Sequence, residues 1–256
     1  MIIDTHIHTI FSSDSNMNIE EAINKAEALN IGFTVTDHID IGYPVSGKYF
    51  FNTQEYFAAY EKYRSEKILL GVELGMRTEF IEESRNAINR CPFDYIIGSL
   101  HVIDDIDLSW SAFYSGHSKK KVITTYLTAL SKCVKYFDFI DSLGHIDYIC
   151  RHLKDNDKEL HYEDFSDYID SILITLKNSD KALEINTRRC WQPETLAALT
   201  KIYKRWEELG GRVVTIGSDA HNVDSIGLQY QQGLALAASC GLRPVYFKNH
   251  QINYIK

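Results

Sequence analysis

Six of the ten histidines in this 256-residue chain, His6, His8, His38, His101, His145 and His221, fall at or just past the end of a short apolar run. The first run carries Asp4-Thr5-His6-Ile7-His8. Side chains two apart on a strand face the same way. Asp4, His6 and His8 therefore share a face, with two imidazoles side by side as a metal ion needs. Two histidines on one face of an otherwise apolar strand are costly to bury without partners. Asp4 is placed to orient a ligand from behind. The last such run, Gly217-Ser218-Asp219-Ala220-His221, repeats the spacing with a carboxylate and an imidazole. Thr36-Asp37-His38, Gly71-Val72-Glu73, Gly98-Ser99-Leu100-His101 and Gly144-His145-Ile146-Asp147 end four more. A lone histidine at a strand end is more often structural, but this many ends converging on one face make a site. Its donors are nitrogen and oxygen without thiolate, which suits Zn²⁺, Mn²⁺ or Fe²⁺ better than a structural cysteine-type zinc site.

The elements that must carry these residues alternate. Apolar runs Met1–His8, Gly32–His38, Ile68–Glu73, Phe93–His101, Phe139–His145, Ala182–Asn186 and Val213–Asp219 are short and rich in Ile, Val, Phe and Tyr, as buried strands are. Pro244–Phe247 is an eighth strand or a tail. Helical patterns lie between them. Asn18 with Glu21 reads as an N-cap and its capping box, opening a helix to about Leu29. Thr53 caps a second. Glu79–Arg90, Ser118–Tyr136, Asp164–Lys177 and Ser225–Ser239 follow, and Gln192-Pro193 opens one that Gly210-Gly211 stops. Such alternation means a parallel sheet with crossover helices. At this length a closed α/β barrel is the expected architecture, with its site at the C-terminal ends of the strands. No repeat, low-complexity tract or linker interrupts the chain, so residues 1–256 are expected to form one domain. The irregular stretches Ile39–Asn52 and Asp104–Gly116 follow strand ends and are candidate active-site loops.

Bulk properties exclude several classes. The formal net charge of −8 argues against a general nucleic-acid surface. Bound cations would still let an acidic protein take an anionic substrate. A chain this long buries a sizeable core without structural metals. The five cysteines, Cys91, Cys133, Cys150, Cys190 and Cys240, form no C-x-x-C pair and read as reduced thiols. No stretch approaches a membrane span, and the N-terminus lacks a basic leader. A cytoplasmic protein with a small-molecule partner is expected.

The motifs resemble those of the polymerase-and-histidinol-phosphatase (PHP) family in order and spacing over nearly the whole chain. They are D-x-H-x-H at 4–8, TDH at 36–38, GVE at 71–73, SLH at 99–101, GHID at 144–147 and SDAH at 218–221. The resemblance implies a distorted (β/α)7 barrel with three metals. His6, His8, Glu73 and Asp219 would hold the first. Glu73, His101 and His145 would hold the second, with Glu73 bridging. Asp14, His38 and His221 would hold the third, Asp14 standing where the family has His or Asp. Nine protein ligands would serve two or three divalent ions, Zn, Mn or Fe. Chain length, together with Gly144–Arg151 and Leu183–Thr187, resembles the stand-alone histidinol-phosphate phosphatase branch.

What that implies is a phosphomonoesterase that cleaves L-histidinol phosphate by a metal-activated hydroxide. Glu73, Asp219 and His221 would form the catalytic centre, and Arg151, Arg188 and Arg189 would bind phosphate through their planar forks. Asp37 and Asp147 read as supporting partners rather than acids. The histidines outside the motifs, His117, His152, His161 and His250, read as surface or loop residues. Asp40, Tyr43, Tyr49, Phe50, Trp110 and Tyr114 are rim candidates for the ammonium and imidazole of the substrate. Three other readings compete. A nucleotide or oligonucleotide phosphoesterase would usually show a basic track. An amidohydrolase would bridge its metals with a lysine, and no lysine ends a middle strand here. A non-catalytic barrel would have lost ligands, and all nine are present.

Overall fold

A computed structural model describes residues 1–190 and 192–255. The seven apolar runs become β1 (Ile3–Ile7), β2 (Gly32–Val35) with β3 (His38–Ile39), β4 (Ile68–Gly75), β5 (Tyr95–Ser99), β8 (Ser142–Leu143), β9 (Ala182–Asn186) and β10 (Val213–Gly217), and a hairpin of β6 (Val102–Ile103) and β7 (Ile106–Asp107) follows β5 outside them. The Gly32–His38 run splits into β2 and β3 around Thr36-Asp37. Two strands close the chain, β11 (Arg243–Lys248) and β12 (Gln251–Tyr254). The large sheet runs β1-β2-β4-β5-β8-β9-β10-β11-β12, with β3 against β4. Its pairs are parallel except β11–β12. Both faces of a parallel sheet are covered, and accordingly β1, β2, β5, β8 and β9 are buried at every residue.

The two halves of the sheet also touch at their site ends. The His8 amide donates to the Ala220 carbonyl at 2.8 Å and the Asp219 amide to the His6 carbonyl at 2.8 Å. Strand β1 thus lies against β10, and the sequence-distant D-x-H-x-H and SDAH motifs become neighbours. Asp4 is part of this seam. Its carboxylate accepts from the amides of Ser218 at 2.9 Å and Gly227 at 2.8 Å and from the Ser218 hydroxyl at 2.5 Å. It fastens the backbone that carries Asp219; the expectation that it orients an imidazole is corrected accordingly.

Helices α1 (Ile19–Leu29), α2 (Thr53–Tyr60), α3 (Ile81–Ile88), α4 (Lys119–Tyr136), α5 (Tyr162–Asn178), α6 (Pro193–Glu208) and α7 (Tyr230–Ser239) connect the strands. The capping acid of α1 is in place, Glu21 accepting from the Asn18 amide at 3.0 Å. The cap of α2 is Asn52, which accepts from Gln54 and Glu55, rather than Thr53. Helix α7 starts five residues later than its apolar pattern suggests, because Gly227 (φ 69°) and Gln229 (φ 55°) take left-handed backbone that a helix cannot contain. Each helix turns an apolar stripe inward. That of α6 buries Leu199, Ile202, Tyr203 and Trp206, each such side chain contributing about 1.5–3 kcal/mol on burial.

The eighth strand is real, and β12 returns beside it through Asn249 (φ 51°) and His250 (φ 60°), a two-residue turn with both central residues left-handed. The turn is tied down. The His250 ring reaches the Asp141 carboxylate at 2.9 Å, and that carboxylate also takes the Ile96 amide at 2.8 Å. The hydrogen bond to Asp141 raises the His250 pKa above its ordinary value. A raised folded-state pKa stabilises fully below the unfolded value of about 6.5 and loses its effect as pH rises through the folded one. His250→Asn, which keeps a residue tolerant of left-handed backbone, should therefore lower stability at pH 5.5 and leave it unchanged at pH 9. Because the ring is 45% exposed, the deficit should stay below about 1 kcal/mol. Thermal melts at the two pH values check this; an equal deficit at both would show that the ion pair contributes nothing.

Candidate metal centre

All nine expected ligands converge: most lie at or just past the C-terminal ends of β1, β4, β5, β8 and β10, while His38 opens β3 beyond β2 and Asp14 sits in the turn after β1. Glu73, on β4, is the hub and is 1% exposed. Its Oε2 lies 3.3 Å from His6 Nε2, 3.4 Å from His8 Nε2 and 3.1 Å from His38 Nδ1. Its Oε1 lies 2.8 Å from His145 Nε2 and 3.3 Å from His101 Nε2. Asp219 Oδ1 is 3.4 Å from His8 Nε2 and 3.8 Å from His6 Nε2. Asp14 Oδ2 is 3.1 Å from His221 Nε2 and 3.8 Å from His38 Nε2.

These spacings pass a test for metal binding. Ligands on a tetrahedral ion with bonds of about 2.1 Å stand about 3.4 Å apart. His6 Nε2 and His8 Nε2 are 3.0 Å apart, and with Glu73 Oε2 and Asp219 Oδ1 they span 3.0–3.8 Å in every recorded pairing. Glu73 Oε2 and His38 Nδ1 are buried without a hydrogen-bond partner. Leaving such atoms orphaned costs about 1–3 kcal/mol each, so a group that ligates them is called for. Four overlapping His/carboxylate trios in the cluster have donor atoms close enough to hold an ion.

Behind the donors, most rings are held by their other nitrogen. His6 Nδ1 meets Glu184 Oε1 at 2.6 Å, and Glu184 Oε2 takes the His145 amide at 2.7 Å. His101 Nδ1 meets Asp40 at 3.1 Å. His221 Nδ1 meets the Asp219 carbonyl at 2.9 Å. Ser12 donates to Asp37 at 2.7 Å and so receives His8 Nδ1–H at 3.0 Å, leaving His8 Nε2 unprotonated and aimed inward. Asp37 thus acts through Ser12, while Asp147 pairs with Arg189. Glu184 escaped the sequence reading, although a lone charge inside the apolar run Ala182–Asn186 signals a buried partner.

The charges interlock. Burial opposes ionisation of Glu73, yet His6, His38 and His101 hold its carboxyl well below the usual range. Burial likewise opposes Asp219, and Arg151 and His6 hold it down. His6 is pushed down by burial and more than restored by Glu184, Glu73 and Asp219, ending well above its ordinary value. His8 goes well below its own, through burial and the neighbouring His221 and His38. Carboxylates that stay ionised and a neutral His8 are what a cation requires.

Close backbone approach holds the seam. A methyl group on Gly217 would overlap His6 Cβ and Glu184 Oε1. Gly217→Ala should therefore displace the His6–Glu184 pair, weakening metal binding about tenfold or more and lowering stability by about 1–3 kcal/mol. Chelator competition and thermal melts check both; metal affinity unchanged from wild type would refute the close-approach argument.

The cluster opens into a cavity of about 630 Å³. Its lining includes Asp14, His38, Glu73, His101, His145, Asp219 and His221 on one side and Arg151, His152, Lys158 and Arg188 on another. Arg151 reaches Asp219 Oδ2 at 2.7 Å and Asn186 Oδ1 at 3.1 Å through one terminal nitrogen. Arg188, half exposed, is 3.6 Å from Asp219 Oδ1. Arg189 also lines the cavity, with its guanidinium paired to Asp147 at 2.7 Å and to Glu159. His152, set aside in the sequence reading, lines the cavity, where burial and Arg151 lower its pKa. Of the rim candidates, Asp40 is committed to His101. Tyr49 packs edge-on to His38 with ring centres 5.1 Å apart, and Tyr43 donates to Asp107 at 2.6 Å.

Comparison with known proteins agrees with this geometry. The family model described as the PHP domain matches residues 4–188. A probable histidinol-phosphatase from Clostridium acetobutylicum is 46% identical over 254 residues, covering 99% of this chain and 100% of the relative. A histidinol-phosphatase from Lactococcus lactis subsp. lactis is 31% identical over 226 residues, 86% of this chain and 84% of the relative. The crystal structure of the histidinol phosphate phosphatase from Lactococcus lactis subsp. lactis, complexed with zinc, L-histidinol and phosphate, superposes with a TM-score of 0.93 at 29% identity and covers 98% of both chains. Among the described residues no helix is long and apolar enough to cross a membrane.

Proposed function

This chain belongs to the PHP domain family, and we propose that it hydrolyses L-histidinol phosphate to L-histidinol and phosphate at a centre of up to three divalent ions. One observation carries the reading: a buried bridging carboxylate with its histidines opens on an arginine-lipped cavity, in a chain that matches histidinol-phosphatases from end to end. We read residues 1–256 as one domain and the sheet as a distorted (β/α)7 barrel, a reading supported by the β1–β10 contact.

His6, His8, Glu73 and Asp219 would hold a first ion, Glu73, His101 and His145 a second, and Asp14, His38 and His221 a third. Zinc, manganese and iron all accept this donor set. Bound ions would supply Lewis acidity and a lowered water pKa at neutral pH. The residues of the chain supply the rest. Glu73, with Oε2 toward His6 and His8 and Oε1 toward His101 and His145, would be shared by the first two sites. Asp219 gives Oδ1 to the cluster and Oδ2 to Arg151, so the guanidinium is set beside the reacting phosphate. The Nε and second terminal nitrogen of Arg151 hold no recorded partner among the described residues and are available to phosphate oxygens. Arg188 adds a second, more exposed fork. Arg189 lines the cavity too, but its guanidinium is committed to Asp147 and Glu159, so its role here is to hold those two carboxylates.

Steady-state phosphate release from histidinol phosphate, nucleoside monophosphates and an aryl phosphate tests the assignment. The expected result is a kcat/KM for histidinol phosphate at least about a hundredfold above the others, which is about 2.7 kcal/mol of discrimination. Turnover of another phosphoester with comparable or no activity on histidinol phosphate would keep the metal site and reject the substrate.

A further inference from the structure

The cavity has two kinds of wall. Arg151 and Arg188 stand against Asp219, and Lys158 adds a third cation to the lining; the two loops that follow β3 and β6 bring in Tyr49, which packs on His38, and Asp107 and Ser109. Asp107 ends the β6–β7 hairpin, whose Asp104–Asp105 turn has both residues left-handed (φ 49° and 59°). That turn is fastened by Arg77, which pairs with Asp105 at 2.6 Å and also donates to the Gly42 carbonyl. The hairpin and the loop 39–52 are thus clasped together, and the Asp107 carboxylate is held in a fixed place.

Asp107 is only 6% exposed. Its Oδ2 accepts from the Tyr43 hydroxyl at 2.6 Å and its Oδ1 from the Ser109 amide at 2.5 Å. No cation among the described residues lies within ion-pair distance of it. The neighbouring acids are spent: Asp40 on His101, Asp105 on Arg77. A buried carboxylate with only neutral donors is costly unless a cation completes it. Here the carboxylate lines the substrate cavity, so the missing cation can arrive with the substrate.

We propose that Asp107 is the specificity-determining residue that receives the ammonium group of an amino-alcohol phosphate whose phosphate lies at the metal cluster. The inference rests on the phosphatase reading above and deepens it. The site is bipolar, with cations for the phosphate end and one buried anion for the amine end, and it selects zwitterionic monoesters over plain ones. Tyr43 and the Ser109 amide are positioning groups that aim the carboxylate.

The test compares histidinol phosphate with 3-(imidazol-4-yl)propyl phosphate, which lacks only the amine, on the metal-loaded wild type and on Asp107→Asn. Wild type should favour the amine-bearing ester. Asp107→Asn should lose about a hundredfold in kcat/KM on histidinol phosphate, chiefly through KM, and less than about threefold on the analogue. Asp107→Ser, which keeps a side-chain acceptor for the Ser109 amide, gives the same comparison should the asparagine variant not fold. Tyr43→Phe, which keeps the charge and removes only the hydroxyl that aims it, should retain most of the preference. Equal losses on both esters, or a preference undiminished in the Asp107 variants, would overturn the proposal while leaving the phosphatase reading intact. A wild type without preference for histidinol phosphate over unrelated phosphoesters would instead overturn the reading on which it rests.

Discussion

Glu73→Gln should lower kcat/KM for histidinol phosphate by at least about four orders of magnitude, equivalent to about 5.4 kcal/mol of transition-state stabilisation. The side chain keeps its shape, so the effect isolates the charge and the second oxygen donor. Glu73 meets five imidazole nitrogens through two oxygens, and an amide presents only one oxygen. Metal content per chain should fall with the rate, because two sites share this ligand. The fold should persist, since the core around β4 (Leu69, Leu70, Val72 and Leu74) does not depend on it. Metal analysis beside the rate measurement checks this: full metal occupancy with wild-type turnover would remove Glu73 from the centre.

The second large effect separates two arginines that line the same cavity. Arg151→Met should cost about 10²–10³-fold in kcat/KM, the size expected for removing one preorganised donor to developing negative charge. It should leave metal content near that of wild type. Arg189→Met should act through stability. It strands Asp147 and Glu159, which are 9% and 8% exposed, and breaking a buried pair costs about 3 kcal/mol or more. The melting temperature should drop for Arg189→Met and not for Arg151→Met. The reverse pattern would exchange the roles assigned to them.

The metal cluster was legible in sequence because strand geometry is simple. Alternation put His6 with His8 on a common face, and strand ends brought the rest together; Asp219 and His221 lie past β10, with Asp219 in left-handed backbone (φ 55°) rather than on an alternating strand. Asp14 was legible only through family resemblance, since it lies in a turn with no periodic pattern. The supporting residues were harder to read because their partners are remote in sequence: Glu184 is 178 residues from His6, and Asp4 holds Ser218 and Gly227 and the His6 amide rather than the His6 ring. Arg189 follows a strand end as Arg188 does, and both line the cavity; only the three-dimensional fold shows Asp147 and Glu159 paired with Arg189. Asp107 looked like one more loop acid; its isolation from cations is a property of the assembled pocket. The late start of α7 has a local cause that was visible at Gly227 but not at Gln229, a residue with no intrinsic preference for left-handed backbone.

The central claim, that these nine residues hold the ions that cleave histidinol phosphate, is tested most directly by titrating metal back into chelator-treated protein. Bound metal per chain and phosphate release would be measured on the same samples. The account predicts a folded but inactive metal-free protein whose turnover rises with bound zinc or manganese and levels off by three equivalents. Turnover by protein shown to hold no metal, or full occupancy of the cluster without any hydrolysis of histidinol phosphate, would contradict it.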